Sequence, residues 1–147
     1  IDLGKMEVAD MTLIEGALHA RRETHITVLH VTETDLAIPD FALEPESFGT
    51  RFSELVTGKD IDFAEYPEFS RRYYLRGDEN AVREFFSESV IRFLEGRAEI
   101  HIECHRHRLL LYKKRDLLEP LEIELLEKYA EDFIEMVKQR LEQPVVH

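Results

Sequence analysis

The sequence has little cysteine, and this scarcity limits its covalent and redox chemistry. Cys104 is the only thiol in the 147 residues. A single cysteine cannot form an intrachain disulfide, and it provides none of the paired thiols of zinc ribbons or redox motifs. Cys104 could act as a nucleophile with His101 or His105, but neighbours in a strand face opposite sides. We therefore interpret it as a buried, inert thiol and expect a reducing, cytoplasmic location.

The sequence also lacks a long apolar run. No stretch approaches the ~20 apolar residues that a membrane-spanning helix needs, and no signal peptide with a basic start and an apolar centre is present. We therefore expect that this chain does not insert into a membrane. The sequence begins with Ile1, so our expectation leaves room for a membrane anchor in a longer parent protein.

Basic residues are few relative to acidic ones. Nineteen Lys and Arg stand against thirty-one Asp and Glu, which gives a formal net charge of −12. Such a surface repels phosphate backbones and anionic lipid headgroups, so we expect no nucleic-acid partner. Glycine-rich phosphate loops and Gly-x-Ser-x-Gly elbows are absent from the sequence. We expect no cofactor.

The residues that are present predict a single α+β domain over residues 1–147. Alternating and β-branched runs predict strands, and 3.6-residue periods with Pro, Asp and Gly at their ends predict three amphipathic helices. The strands are expected at residues 7–16, 24–32, 60–64, 72–76, 98–104 and 109–113, and the helices at 45–58, 78–96 and 120–143. Residues 36–43 are predicted to be an edge or connecting segment. The expected fold is a mostly antiparallel sheet of successive strand-strand-helix units, with the helices mainly on one face.

The final predicted helix has a long apolar stripe. We expect this stripe to cover the sheet, and it consists of Leu121, Leu125, Tyr129, Phe133, Val137 and Leu141.

Three segments together resemble a group of uncharacterised bacterial proteins. They are Ile38-Pro-Asp-Phe-Ala-Leu-Glu-Pro45, Asp60-Ile-Asp-Phe with Pro67-Glu-Phe-Ser70, and Tyr74-Leu-Arg-Gly-Asp-Glu79 with Val82-Arg-Glu-Phe85. The similarity spans roughly residues 26–137. In that group the equivalent region often follows hydrophobic, membrane-anchoring segments, which this chain does not contain. The resemblance implies a shared fold unit and a membrane-associated parent protein, and it implies no particular reaction.

A second hypothesis gives the chain a metal ion. His101, Glu103 and His105 alternate along a predicted strand and would project from one face, together with His107 if the strand continued. Arg106 and the chain reversal near the hairpin tip oppose this arrangement. Asp60 and Asp62 would also share a strand face, where paired carboxylates could hold magnesium or act as acid and base. This alternative is a small metal-binding or metal-dependent enzyme domain.

We expect instead a non-enzymatic protein-interaction or regulatory domain, possessing a partner surface of Tyr74, Arg72 and Arg71. Tyr and Arg are favoured at the centres of protein interfaces. Exposed edges of an antiparallel sheet also favour a symmetric homodimer. The expected location is the cytoplasm, with tethering to a membrane if the parent protein carries an anchor outside this chain.

Overall fold

A computed structural model of the protein describes residues 4–15, 21–32, 34–48, 60–113 and 116–142. Six strands form one sheet: β1 Lys5–Glu15, β2 Arg22–Thr32, β3 Phe41–Pro45, β4 Tyr73–Gly77, β5 His101–His105 and β6 Arg108–Tyr112. The α-helices are α1 Pro67–Arg72, α2 Glu79–Phe85, α3 Glu88–Glu95 and α4 Pro120–Glu142, and a 3₁₀ turn covers Glu46–Phe48. The predicted α+β class is confirmed. The described residues contain four α-helices where three were expected.

Every strand pairing in the sheet is antiparallel, and the order is β1-β2-β6-β5-β3-β4. The predicted pairing of the first two strands is confirmed, with a ladder from Lys5 opposite Thr32 to Glu15 opposite Arg22. β2 begins at Arg22, two residues before the predicted start of the second strand at residue 24. β2 pairs with β6 over residues 29–31 alone, so most of the β1–β2 hairpin extends beyond the central strands.

One face of the sheet carries the main hydrophobic core, because the helices supply their apolar stripes to that face. The members from the strands include Leu29, Leu43, Leu75, Ile102 and Leu111, and the members from the helices include Val82, Ile91, Leu94, Phe133 and Val137. The opposite face holds a smaller buried cluster of Ile26, Val28 and Tyr112. Among the described residues the helices contribute only to the first cluster. The expectation of helices mainly on one face is therefore confirmed.

The chain around β3 differs from the prediction. Phe41–Pro45 is an interior strand between β5 and β4, and all five of its residues are buried. Pro45 ends this strand and does not begin a helix. The remainder of the predicted helix, residues 49–58, lies outside the described residues.

The predicted strand at residues 60–64 is wrong. Asp60 places its carboxylate on the backbone N–H of Leu75, with Oδ1 2.9 Å from that nitrogen, and Ile61 donates its N–H to the Leu75 carbonyl at 2.7 Å. The Asp60 side chain thus takes one of the two hydrogen bonds that a paired strand would make with Leu75, and residues 60–64 do not form a strand. The contact covers the open edge of β4.

The helices between residues 67 and 95 differ from the prediction. No helix was predicted between the strands at 60–64 and 72–76, but Pro67 occupies the first turn of α1, where its fixed φ favours a helix. The single helix predicted over residues 78–96 is divided in two. Ser87 is extended, with φ −71° and ψ 173°, and it separates α2 from α3 while Phe86 turns into the core.

The junction between β4 and α2 follows the sequence closely. Gly77 has φ 152°, a conformation that L-residues rarely adopt. Asp78 then caps α2, since its Oδ2 accepts the N–H of Ala81 at 3.0 Å. The predicted cap and tight turn are confirmed.

The long α4 helix is confirmed, but its buried stripe was predicted wrongly. Phe133 and Val137 are buried as expected, whereas Leu121, Leu125 and Leu141 are exposed. A step of four residues advances about 400° around a helix, so a stripe drawn every fourth residue drifts by about 40° per step. Residues 121 and 141 therefore point away from the sheet, and the buried stripe is Leu126, Ala130, Phe133, Ile134 and Val137.

Candidate interaction surface

The predicted metal ligands lie in the β5–β6 hairpin, and the structure brings two of them together. His101 and Glu103 project from the smaller-cluster face of β5, with His101 Nε2 3.1 Å from Glu103 Oε2. The His101 ring stacks on Tyr112 at a centroid distance of 4.3 Å. On the neighbouring strands Arg76 donates to Glu44 Oε1 at 2.6 Å. We call these five residues the polar cluster.

The polar cluster is almost fully excluded from solvent. His101 and Tyr112 are 0% exposed, and the side chains of Glu44 and Arg76 are 4% and 12% exposed. A buried ion pair adds little net stability to a fold, but loss of either partner would leave the other as a buried, unpaired charge. The cluster is thus a structural feature of the sheet and offers no open surface to a ligand.

The third predicted ligand, His105, is used elsewhere. Its Nδ1 lies 3.4 Å from Asp40 Oδ2, and the same carboxylate accepts the N–H of Arg106 through Oδ1 at 3.0 Å. Arg106 and His107 both have positive φ, 50° and 65°, so the chain reverses there and the predicted alternation ends at His105. Across the described ranges, no three His, Cys, Asp or Glu side chains form a group that could hold a metal ion.

The predicted carboxylate pair has separate surroundings. Asp60 caps the edge of β4, as described above. Asp62 is exposed and lines a shallow groove with Glu65, Arg83 and Glu88. Because residues 60–64 are not a strand, the alternation argument that paired Asp60 with Asp62 does not apply.

Cys104 is buried on the face of β5 that meets the helices, opposite His101. Burial raises the pKa of its thiol to about 12, with a smaller contribution from the Asp40 carboxylate. A thiol of this kind stays protonated and is a weak nucleophile. The interpretation of Cys104 as an inert core residue is consistent with this environment.

The predicted partner residues have different surroundings. Arg72 bonds internally, with Nη1 donating to the Glu95 carbonyl at 3.0 Å and Nε donating to Glu99 at 3.3 Å. Arg71 is exposed on α1 and pairs with Glu68. Tyr74 is half-buried on the sheet face that carries the polar cluster. The partner surface at Tyr74, Arg72 and Arg71 stays a prediction.

A different surface shows the features of an interface. Leu117, Leu121 and Leu125 are 46%, 66% and 55% exposed, and they stand at and just before the N-terminal end of α4. Leu121 and Leu125 are one helical turn apart and therefore share a face of α4. We call these three residues the leucine patch. Single exposed leucines are common, but two exposed leucines on one helix face, with a third four residues before them in the sequence, supply apolar surface of the kind that binding sites use.

A groove of about 220 Å³ continues the leucine patch towards the sheet. It is lined by Ala98, Glu99, Ile100, Lys113, Leu125, Leu126 and Tyr129. Acidic residues alternate with the leucines along the sequence, which follows the basic residues 113–115: Glu119 and Glu124 are exposed, and Glu122 lies 3.9 Å from Lys113. The arrangement can bury apolar side chains in the centre and attract positive charge at its border.

Sequence reasoning missed this surface because it assigned Leu121 and Leu125 to the core. The signal was nevertheless present. Leu126, Ala130 and Ile134 form an alternative stripe with the same Phe133 and Val137, and only one of the two stripes can face the sheet.

Comparison with known proteins does not add a family to these observations. Among the described residues, no helix combines the length and apolarity needed to cross a membrane. The chain matches no protein-family model, and the searches of curated proteins and of solved structures likewise returned no match.

Proposed function

We propose that this chain is a non-enzymatic protein-interaction module, and that its leucine patch receives a cationic amphipathic segment of a partner protein. The observation that carries the proposal is the exposure of three leucines beside an apolar groove. Asp60, His101 and His105, three of the residues predicted to perform chemistry, are engaged in structural contacts. An apolar surface with an acidic border fits binding better than catalysis.

The border supports a cationic partner. Glu119 and Glu124 are exposed beside the leucines, Glu122 already pairs with Lys113, and the chain as a whole carries −12 charges. Complementary charge accelerates association and suppresses partners of the wrong sign. Helix-in-groove recognition places an apolar side chain at every third or fourth residue, which suits a groove beside a helix.

The structure sets the scale of the effect. Burial of a whole leucine side chain contributes about 1.5–3 kcal/mol, and Leu121 and Leu125 are a little more than half exposed. Each would therefore gain roughly 1 kcal/mol on docking. Loss of both should weaken binding about tenfold to a hundredfold.

The experiment uses two synthetic amphipathic helical peptides, one of Leu and Lys and one of Leu and Glu, each with a fluorescent label. We expect the Leu/Lys peptide to bind in fluorescence anisotropy at physiological salt and the Leu/Glu peptide not to bind. The Leu121→Ser/Leu125→Ser variant should lose the binding. The matched control is Leu141→Ser, which alters another exposed leucine, 36% exposed, at the far end of α4.

Two outcomes would contradict the proposal. Equal binding of the Leu/Lys peptide to the native chain and to the double serine variant would mean that net charge alone attracts it. Failure of both peptides to bind the native chain would mean that the leucine patch does not receive a helix.

The competing proposal, a metal-binding or metal-dependent domain, rests on the contact between His101 and Glu103. Two ligands bind a divalent ion weakly, since stable zinc sites use three or four protein ligands. The contact between His101 and Glu103 therefore supplies two of the three or four protein ligands that this alternative requires.

The proposed location is the cytoplasm, close to a membrane if the parent protein is anchored outside these residues. The support is the single, buried Cys104 together with the resemblance to bacterial proteins that carry anchoring segments. Fractionation of cells that express the parent protein would test it, with recovery of the parent protein outside the cytoplasm as the contrary result.

A further inference from the structure

The two edge strands of the sheet, β4 and β1, differ in how far other residues cover them. On β4, the N–H and the carbonyl of Leu75 are both bonded to residues 60–61. β1 stands at the other end of the strand order, and each side chain from Glu7 to Thr12 is exposed on both faces of the strand. β1 is also long, with eleven residues and no proline. A long, exposed edge of this kind is a template for another strand.

We propose that β1 pairs with β1 of a second copy of this chain, antiparallel about a twofold axis at Ala9, so that two six-stranded sheets become one. The proposal is independent of the leucine patch, which lies on α4. Apolar exposure along the strand supports it: Val8 and Met11 are 41% and 38% exposed and project from opposite faces of β1. Both faces of the new junction would bury apolar surface.

The charge pattern of β1 selects the second copy and its direction. In a parallel, in-register pairing, Glu7 would oppose Glu7 and Asp10 would oppose Asp10, and like charges directly opposite are destabilising. About a twofold axis at Ala9, Glu7 lies opposite Met11 and Asp10 lies opposite Val8. No like charges then face each other among residues 6–12, and the strand is complementary to itself.

The position of the axis follows from the alternation of side chains. A twofold axis normal to the sheet keeps each residue on its own face, so opposite residues must be an even number of positions apart and the axis must pass through a residue. An axis at Asp10 would bring that carboxylate against its own copy. The neighbouring axis at Ala9 avoids this contact and places the smallest side chain at the centre.

The test exchanges the two apolar residues for charges of either sign. In Val8→Glu/Met11→Glu each new carboxylate lies opposite Asp10 or Glu7 of the second copy, whereas in Val8→Lys/Met11→Lys each new ammonium group lies opposite the same carboxylates. The two variants lose the same apolar surface. We expect the native chain and the lysine variant to sediment at twice the monomer mass, and the glutamate variant to dissociate about tenfold or more readily.

A second measurement makes the register visible. Ala9→Cys should form an interchain disulfide on mild oxidation, because directly opposite Cβ atoms in an antiparallel pair are about 4.5–5.5 Å apart. Thr12→Cys is the matched control in the same strand, since residue 12 lies opposite residue 6 and not itself. The natural Cys104 is buried and should not react. Circular dichroism confirms that each variant is folded.

The results separate cleanly. A dimer that survives the lysine but not the glutamate exchange, with a cross-link at residue 9 alone, supports the pairing. A native chain that remains monomeric at its solubility limit overturns it, as do two charge variants that behave alike or a cross-link that is equally strong at residue 12. Failure of peptide binding at the leucine patch would leave all these measurements unaffected.

Discussion

Replacement of Gly77 by alanine tests how the β4–α2 junction determines the fold. An added Cβ would lie 2.8 Å from the Asp40 carbonyl oxygen and 2.8 Å from Val82 Cγ2. Val82 is fully buried, so it has little freedom to move. The backbone also has φ 152°, where a residue with a Cβ is strained.

The expected loss of stability combines two effects. Backbone strain of this kind costs about 1–3 kcal/mol. Overpacking of a core by one methyl group costs a further amount of about 1–3 kcal/mol. We therefore expect Gly77→Ala to lower the free energy of unfolding by roughly 2–6 kcal/mol, a large part of the stability of an ordinary domain.

The matched control is Gly96→Ala. Gly96 ends α3 with φ −79° and ψ −1°, which any residue can adopt, and its nearest contact to an added Cβ is the Arg92 carbonyl at 3.3 Å. Reduced freedom of the unfolded chain favours this alanine by about 0.4–1 kcal/mol, so the net change should lie within about 1 kcal/mol.

Urea unfolding followed by far-ultraviolet circular dichroism measures both variants. The sequence has no Trp, so its intrinsic fluorescence comes from tyrosine and is less informative. With a typical urea dependence of about 1–3 kcal/mol per molar, the midpoint of Gly77→Ala should fall by about 1 M or more. Equal midpoints for Gly77→Ala and Gly96→Ala would refute the reasoning.

Three other predictions concern pH, helix capping and metal. Burial raises the pKa of Tyr73 and of Cys104 to about 12, from about 10 and 9, so the unfolded chain releases these protons first and stability should fall as pH rises from about 9 to 12. Urea midpoints measured across that range should decline less in Cys104→Ala, and a parallel decline would contradict the assignment. Asp78→Ala removes the cap of α2 and should cost about 1 kcal/mol by thermal unfolding, whereas Asp78→Asn should retain most of it. Neither EDTA nor added zinc should change the thermal midpoint, because His101 and Glu103 alone do not complete a site; a rise of several degrees with zinc would revive the metal hypothesis.

The parts of the fold that sequence predicts well are those determined by local chemistry. Asp78 caps a helix wherever the chain turns after Gly77, and Pro120 begins α4 because its φ suits the first turn. The hairpin at residues 101–112 also follows from local alternation, with a turn of two residues where four were expected. These features need no knowledge of distant residues.

The parts that were predicted wrongly depend on distant contacts. The residues around Asp60 have the composition of a strand. However, the Asp60 carboxylate accepts the N–H of Leu75, fifteen residues away, in place of the backbone carbonyl of a paired strand. Phe41–Pro45 is interior because two other strands, β4 and β5, reach it from later in the chain. Local propensity contains no information about either contact.

Prediction of the leucine patch depends both on local periodicity and on distant contacts. Periodicity correctly identified α4 as amphipathic, but two stripes compete for the sheet and they share Phe133 and Val137. The choice depends on whether Leu121 or Leu126 fits the surface of the sheet, which is a matter of packing. The surplus stripe is the candidate binding surface, so the wrong part of the prediction and the functional hypothesis concern the same leucines.

The strand order has a consequence for folding during synthesis on the ribosome. β2 joins the sheet only through β6, whose residues emerge from the ribosome about 80 positions after their partners at 29–31. At a synthesis rate of about 5–20 residues per second, about 4–16 seconds pass between the synthesis of β2 and the synthesis of β6. During that interval both edges of the β1–β2 hairpin are open, and neighbouring nascent chains on one messenger carry the same hairpin. The sequences of β1 and β2 therefore affect association between nascent chains during translation as well as association of the folded protein.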